Sequence, residues 1–203
     1  MNIAIIGAGN IGGTLGKKWA AAGHQVSFGV RSPADNKHNQ LRGLGLVTGV
    51  EEALADCEVI LLSLPGGSVA VFAEIYGPLL DDKVVVDATN NIRSSEMNNL
   101  AVLFAQAPGA KLVRAFSNLG WENFETPTLG GETIDLFYCA QPLARAAAEQ
   151  LITEVGLRPV CLGDLDTAPL VDSLTRLWFN LALTQGRGRR IAFKLLEENH
   201  RDV

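Results

Sequence analysis

Two hydrophobic patterns alternate along this chain. Short uninterrupted apolar runs end in turns rich in glycine, proline, serine or asparagine, and between them lie segments whose apolar residues recur every three to four positions. The first pattern reads as strands buried on both faces of a sheet, the second as helices presenting one apolar stripe. Strands are predicted at 2–6, His24–Val30, Leu44–Thr48, Glu58–Ser63, Lys83–Asp87, Lys111–Phe116, Thr133–Ala140 and Arg158–Leu162. Helices are predicted between them: one with Ile11, Leu15 and Trp19 on its inner face, closed by Gly23, and others at Val50–Ala55, Val69–Tyr76 and Leu143–Val155. Strands alternating with helices build right-handed crossovers, so the expected fold class is α/β, a doubly wound, mainly parallel sheet.

The segment 164–203 differs in kind. Asp164 or Thr167 with Pro169 marks a helix start, and Leu170, Leu174, Leu177, Trp178 and Leu181 form a broad apolar stripe. With Leu195 and Leu196 it offers more apolar surface than a small appendage buries alone, which predicts an oligomer. Arg176, Asn180, Thr184 and Arg187 follow at helical spacing on another face, which either binds polar groups or is simply solvated. Gly186 and Gly188 interrupt this helix before a basic cluster of Arg187, Arg189, Arg190 and Lys194. The chain therefore divides into 1–163, a nucleotide-binding unit, and 164–203, a small C-terminal helical segment that does not stand alone.

The nucleotide enters through the first turn. Gly7-Ala8-Gly9-Asn10-Ile11-Gly12 has G-x-G-x-x-G spacing between a strand and a helix, the Rossmann-type context. Gly7 allows a sharp turn, Gly9 lets backbone approach a pyrophosphate, and Gly12 lets the helix pack close to the sheet. The helix N-terminus then offers unpaired N–H groups to the phosphates. After the second strand an NAD site would place Asp or Glu on the ribose, but here the chain reads Val30-Arg31-Ser32, with no carboxylate before Asp35. Arg31 can grip a 2′-phosphate, with Ser32 and Lys37 in support, so NADP(H) is the expected cofactor.

Composition adds bounds rather than chemistry. A net charge of -5 over 203 residues offers no general basic surface for nucleic acid. The first strand starts at Asn2, leaving no room for a signal peptide, and no apolar run reaches membrane-spanning length. Cys57, Cys139 and Cys161 lack metal or C-x-x-C spacing and are expected as buried thiols in a reducing, cytoplasmic compartment; no metal site is expected.

Three further turns fall where a doubly wound sheet holds its ligands, beyond the carboxyl ends of its strands. They are Ser63-Leu64-Pro65, Ala88-Thr89-Asn90 and Ser117-Asn118. Their polar side chains can bond a nicotinamide ribose and carboxamide, with Leu64 and Pro65 as an apolar wall. Equally, βα turns collect such residues for their own geometry.

Ile5-Ile-Gly-Ala-Gly-Asn-Ile-Gly-Gly13, Gly29-Val-Arg-Ser32, Val86-Asp-Ala-Thr-Asn90 and Arg114-Ala-Phe-Ser-Asn-Leu-Gly-Trp121 together resemble the NADPH-dependent deazaflavin (coenzyme F-420) reductase family. That family is similar in turn to the oxidoreductase domain of membrane metalloreductases. The resemblance runs through Asp135–Ala140 into the last helices. It implies NADP(H) as donor, a flavin or deazaflavin as co-substrate, a homodimer, and a nicotinamide ring beside Phe137–Ala140 with its carboxamide held near Ala140. The chain departs from the family at Val30, where Ser or Thr is usual before the arginine, and at Asn91, where proline is expected.

No acid or base stands out for catalysis. His24 and His38 are expected on the adenosine side and His200 lies in the terminal tail; no Ser-His-Asp arrangement is visible. Direct hydride transfer to a flat acceptor, with no catalytic side chain, is the reading. Trp121, Phe137, Arg176, Asn180 and Arg187 are its candidate acceptor contacts. Two alternatives stand beside it. One is a β-hydroxyacid-type or imine-type dehydrogenase, which would use Lys and Asn one helical turn apart where this chain has Arg176 and Asn180; the other is a non-enzymatic NADP(H) sensor.

Overall fold

The computed structural model describes residues 1–198; His200 lies outside them. The chain forms β1 (Asn2–Ile6), α1 (Asn10–Ala21), β2 (Gln25–Gly29), the short α2 (Asn39–Arg42), β3 (Leu46–Thr48), α3 (Val50–Ala55) and β4 (Val59–Leu62). It continues through α4 (Val69–Tyr76), β5 (Val84–Asp87), α5 (Leu100–Gln106), β6 (Lys111–Arg114) and α6 (Trp121–Glu125). A two-stranded hairpin, β7 (Thr128–Leu129) with β8 (Glu132–Thr133), leads to β9 (Asp135–Ala140), α7 (Arg145–Val155), β10 (Arg158–Cys161) and α8 (Ala168–Phe179).

Eight strands form one sheet in the order β3-β2-β1-β4-β5-β6-β9-β10. Every pairing is parallel except β6 with β9, which is antiparallel. The fold is thus the expected α/β, Rossmann-type, mainly parallel sheet. The strand order reverses between β1 and β4, and ligands of such sheets lie at that switch point.

The uninterrupted apolar runs have a direct cause. Ile3, Ile5 and Leu61 point to one face, where Leu15 and Trp19 of α1, Phe124 of α6 and Leu151 of α7 cover them. Ala4, Ile6, Ile60 and Leu62 point to the other, under Leu54 of α3, Phe72 of α4 and Leu103 of α5. With both faces buried, no position in β1 or β4 is left for a polar alternation. Trp19 joins its layer firmly: Nε1 donates to the Leu151 carbonyl at 3.0 Å, and the ring packs edge-on to Phe116 at 5.8 Å.

The C-terminal segment does not form a separate layer. Ala168 and Val171 enter the second core, and the buried edge of α8 also includes Asp172, Thr175 and Trp178. Leu170 and Leu177 of the apolar stripe remain exposed. A π-helical turn, Asn180–Thr184, ends the helix, and Gly186 and Gly188, both at positive φ, turn the chain back. Beyond Gly188 the chain runs as an extended strap. Trp178 Nε1 donates to the Ile191 carbonyl at 3.1 Å, and the Arg190 guanidinium reaches the carbonyls of Glu122, Thr126 and Thr128. Arg189 pairs with Glu122 at 2.6 Å, and Lys194 donates to the Thr133 carbonyl at 2.7 Å. Arg189, Arg190 and Lys194 of the basic cluster therefore bind their own chain.

Candidate functional site

At the switch point the ends of β1 and β4 lie side by side. Gly7 takes φ +113°, and a Cβ there would sit 2.6 Å from the Ser63 carbonyl oxygen. Gly12 lies on the inner side of α1, where a Cβ would collide with the Gly7 carbonyl oxygen. These two glycines bring the helix down onto the strand end. Gly9 differs: it is the exposed N-cap of α1, no side chain caps it, and a Cβ would meet nothing within 4 Å. No acidic residue stands in the first turn. Beside half-buried Ala8, the opening N–H groups of Asn10 and Ile11 and the positive end of the helix dipole are left for an anion.

At the end of β2, Val30 is still anchored, its N–H donating to the Thr48 carbonyl at 3.0 Å. Arg31 and Ser32 follow, exposed, and the Arg31 side chain has no partner among the described residues. Lys37 is less free than its position in the sequence suggests. Its ammonium pairs with Asp35 at 2.8 Å, and its N–H donates to the same carboxylate at 3.0 Å. These bonds hold the Asp35 carboxyl below its ordinary value. Arg42 braces the loop by donating to the Pro33 carbonyl at 2.7 Å.

At the ends of β4 and β5 the expected ribose ligands are engaged elsewhere. The Ser63 hydroxyl donates to the Gly7 carbonyl at 2.7 Å, so it braces the glycine turn, with Leu64 half-buried and Pro65 exposed beside it. Ala88 is buried, its N–H on the Leu62 carbonyl at 3.0 Å. The Thr89 hydroxyl, expected to face a ribose, donates to Asp87 at 2.5 Å and accepts from Asn99 at 2.9 Å. Asn90 spans two turns: its Nδ2 donates to the Ser117 carbonyl at 3.0 Å and its Oδ1 accepts from Arg114 at 2.9 Å.

Arg114 is the residue that sequence reasoning missed. It is 0% exposed, and all five of its N–H groups find acceptors. Nε and Nη2 both donate to Asp172 Oδ1, at 3.1 and 2.9 Å; Nη1 reaches the Asp87 carbonyl at 3.2 Å and the Thr89 carbonyl; and Nη2 also holds Asn90. Asp87 and Asp172 are completed by neighbours, with Asn99 N–H on Asp87 at 2.9 Å and Asn98 Nδ2 on Asp172 at 2.7 Å. A signal existed: a lone arginine in the apolar run Leu112-Val-Arg-Ala-Phe116, and an aspartate inside the helix spacing of α8.

Asn118, buried, donates to the Phe137 carbonyl at 2.7 Å. Because β9 runs antiparallel to β6, its beginning lies at the carboxyl edge and its end does not. Phe137 is therefore the residue beside Asn118. Ala140 pairs with Val113 inside the sheet, its N–H donating to the Gly163 carbonyl at 3.1 Å, so the structure does not bring it to that edge.

Of the expected acceptor contacts, Arg176 and Asn180 share a groove of about 400 Å³ with Thr184, Phe179, Ile92 and Met97. Arg176 Nη2 also donates to the Ser95 carbonyl at 2.6 Å, tying α8 to the loop after β5. Trp121, half-buried at the start of α6, and exposed Arg187 are not among the residues lining that groove. Burial pushes the Cys139 thiol up to about 11 and raises that of Cys57. Cys161, expected buried, is exposed at the end of the edge strand β10, which has a neighbour on one side only. His24 also departs from expectation. It precedes β2 at the amino edge of the sheet, bonded to Glu154 at 2.6 Å, away from the adenosine side.

Comparison with known proteins bears on the first half of the chain and on the fold. Residues 2–91 match the family model described as NADP oxidoreductase, coenzyme F420-dependent. The fold is similar to that of a protein from Arthrobacter sp. FB24, described as a candidate F420-dependent NADP-reductase: TM-score 0.84 and 22% identity over 97% of this chain and 100% of that one. It is similar also to an imine reductase from Bacillus cereus BAG3X2, with TM-score 0.67 and 18% identity over 91% of this chain and 62% of that one. Among curated proteins, a glycerol-3-phosphate dehydrogenase [NAD(P)+] of Pseudomonas fluorescens (strain Pf0-1) is 26% identical over 125 residues. That alignment spans 54% of this chain and only 35% of the relative's own length. Residues 2–91 are thus F420-dependent NADP oxidoreductase-like in sequence, and the fold of nearly the whole chain is shared with the Arthrobacter protein.

Proposed function

We propose that this protein is an NADP(H)-dependent oxidoreductase that transfers hydride between NADPH and a flavin-like or deazaflavin acceptor. The observation that carries the reading is the pairing of the uncapped α1 N-terminus with an unengaged Arg31 at the end of β2. The residues fit the cofactor. Gly7, Ala8, Gly9, Asn10, Ile11 and Gly12 form a cradle that takes a pyrophosphate, and Arg31 with Ser32 takes a 2′-phosphate, Lys37 contributing a weaker, already paired charge. Bound NADPH supplies the hydride. The chain positions the ring: Ser63 braces the glycine turn, Leu64 and Pro65 wall it, and the Ala88–Asn90 and Asn118 turns hold the edge where the carboxamide lies.

In this reading residues 1–163 hold the donor and 164–203 supply the acceptor side, with Arg176 and Asn180 in the groove beside Ile92. Exposed Leu170, Leu177 and Leu196 suit a homodimer, and the free thiols suit a cytoplasmic setting. The test is an acceptor screen with NADPH against NADH. Oxidation of NADPH by FMN, FAD or a deazaflavin supports the proposal. Turnover confined to ketones or imines would favour the imine-type reading, for which the delocalised guanidinium of Arg176 is a poor proton donor. Tight NADPH binding without any turnover would leave a sensor.

A further inference from the structure

We propose that Arg114 is a positioning residue that sets the distance between the nicotinamide edge and the acceptor-side helix. This rests on the proposed assignment of that edge to the nicotinamide. Arg114 touches no ligand surface: it is fully buried and its five N–H groups are consumed within the protein. What matters is which groups it joins. On one side are the Asp87 and Thr89 carbonyls and the Asn90 amide oxygen, the backbone and side chain of the turn after β5. On the other is Asp172, two turns upstream of Asn180 on α8.

Two further bonds extend the clamp. Asn98 Nδ2 and N–H both donate to Asp172 Oδ2, at 2.7 and 3.2 Å, and the Asn99 N–H donates to Asp87 Oδ2 at 2.9 Å. The far end of the irregular stretch between β5 and α5 is thereby fixed to both carboxylates, and its near end to Asp87 through the Thr89 N–H at 2.9 Å. That stretch contributes Ile92 and Met97 to the groove that Arg176 lines from α8 and Asn180 from the π-helical turn after it. One guanidinium therefore ties together the turn under the ring, the loop over the groove and the helix behind it. A planar fork of five donors does this, and a lysine ammonium, with three donors around one atom, does not.

The consequence is specific. Loosening the clamp shifts the acceptor relative to the donor, while the adenosine half, held at Gly9 and Arg31 beyond β4, keeps its geometry. The experiment uses Arg114→Lys and, from the helix side, Asp172→Asn, with 2′,5′-ADP, NADPH and the best acceptor of the screen as probes. In variants that retain a cooperative melt, 2′,5′-ADP affinity should change less than about twofold, whereas kcat should fall about 10²-fold, the size expected of a misplacement near 1 Å. The kinetic isotope effect with 4-deuterated NADPH should rise as hydride transfer becomes limiting. Folded variants with wild-type kcat and isotope effect would overturn the proposal while leaving the donor site intact. Equal loss of 2′,5′-ADP affinity in both variants would overturn it too, by showing a general structural role. A wild-type protein that binds NADPH no more tightly than 2′,5′-ADP would instead remove the reading of the edge itself, and the proposal with it.

Discussion

The turns after β2 and β5 carry similar polar residues and use them in opposite ways. After β2, Arg31 and Ser32 face solvent, and the Arg31 side chain has no partner among the described residues. After β5, the side chains of Thr89 and Asn90 are fully engaged by Asp87, Asn99, Ser117 and Arg114. The difference lies beneath the turns. Under the second stands a buried guanidinium, and a buried cation must have all its partners or the desolvation cost is not recovered. The turn residues are recruited to meet that demand. The first turn has no buried charge to satisfy, so its polar groups stay available.

The largest effect should come from breaking the consumed side. Asp172→Ala leaves Arg114 buried with fewer acceptors, and denaturant unfolding should show a loss of about 3–5 kcal/mol. Gly12→Ala forces a methyl against the Gly7 carbonyl; it should cost about 1–3 kcal/mol and abolish tight NADPH binding, measured by calorimetry. Arg31→Ala tests the free side. NADPH affinity should fall about 10- to 100-fold, the worth of a charge-assisted phosphate contact, while NADH affinity and the melting temperature hold; unchanged NADPH binding would sink the assignment.

A fourth test extends the comparison to the strap. Burial opposes ionisation of Asp135, but the Arg158 side chain, the Leu195 N–H and the charges of Arg158 and Lys194 together outweigh it and hold the carboxyl below its ordinary value. A carboxyl depressed in the folded state stabilises above its unfolded value of about 3.9, and that contribution is lost as pH falls from there through the folded value. Acid titration followed by tryptophan fluorescence should therefore show loosening below about pH 4, and Asp135→Asn should remove that step. The smallest effect belongs to Lys37→Ala. Its charge is already paired with Asp35 at the surface, so NADPH affinity should change about threefold or less.

Local pattern located nearly every strand and the first turn. Gly7 and Gly12 were legible because their requirements are steric and immediate: a positive φ and a close helix. The exposed position of Arg31 was legible because it lies just past a strand, two residues beyond the end of β2. Thr89 and Ala140 were not. Whether Thr89 faces outward depends on Asp87 and Asn99, and whether Ala140 reaches the carboxyl edge depends on β9 entering the sheet antiparallel, a choice made by pairing with β6. The exposed Leu170 and Leu177 belong with these. Helical periodicity ranks faces by apolarity, and α8 instead turned inward Asp172, for which Arg114 offered a partner, and Thr175, which meets Ser117 and the Val171 carbonyl.

By itself the sequence determined the sheet class, the glycine turn and the cationic end of β2. Each follows from short-range periodicity, sterics or charge within a few residues of one another. Only the tertiary structure decided which polar side chains are free to meet a ligand. That choice is settled by buried partners distant in sequence, Arg114 with Asp172 above all, because a charge removed from water takes its acceptors from wherever the fold supplies them.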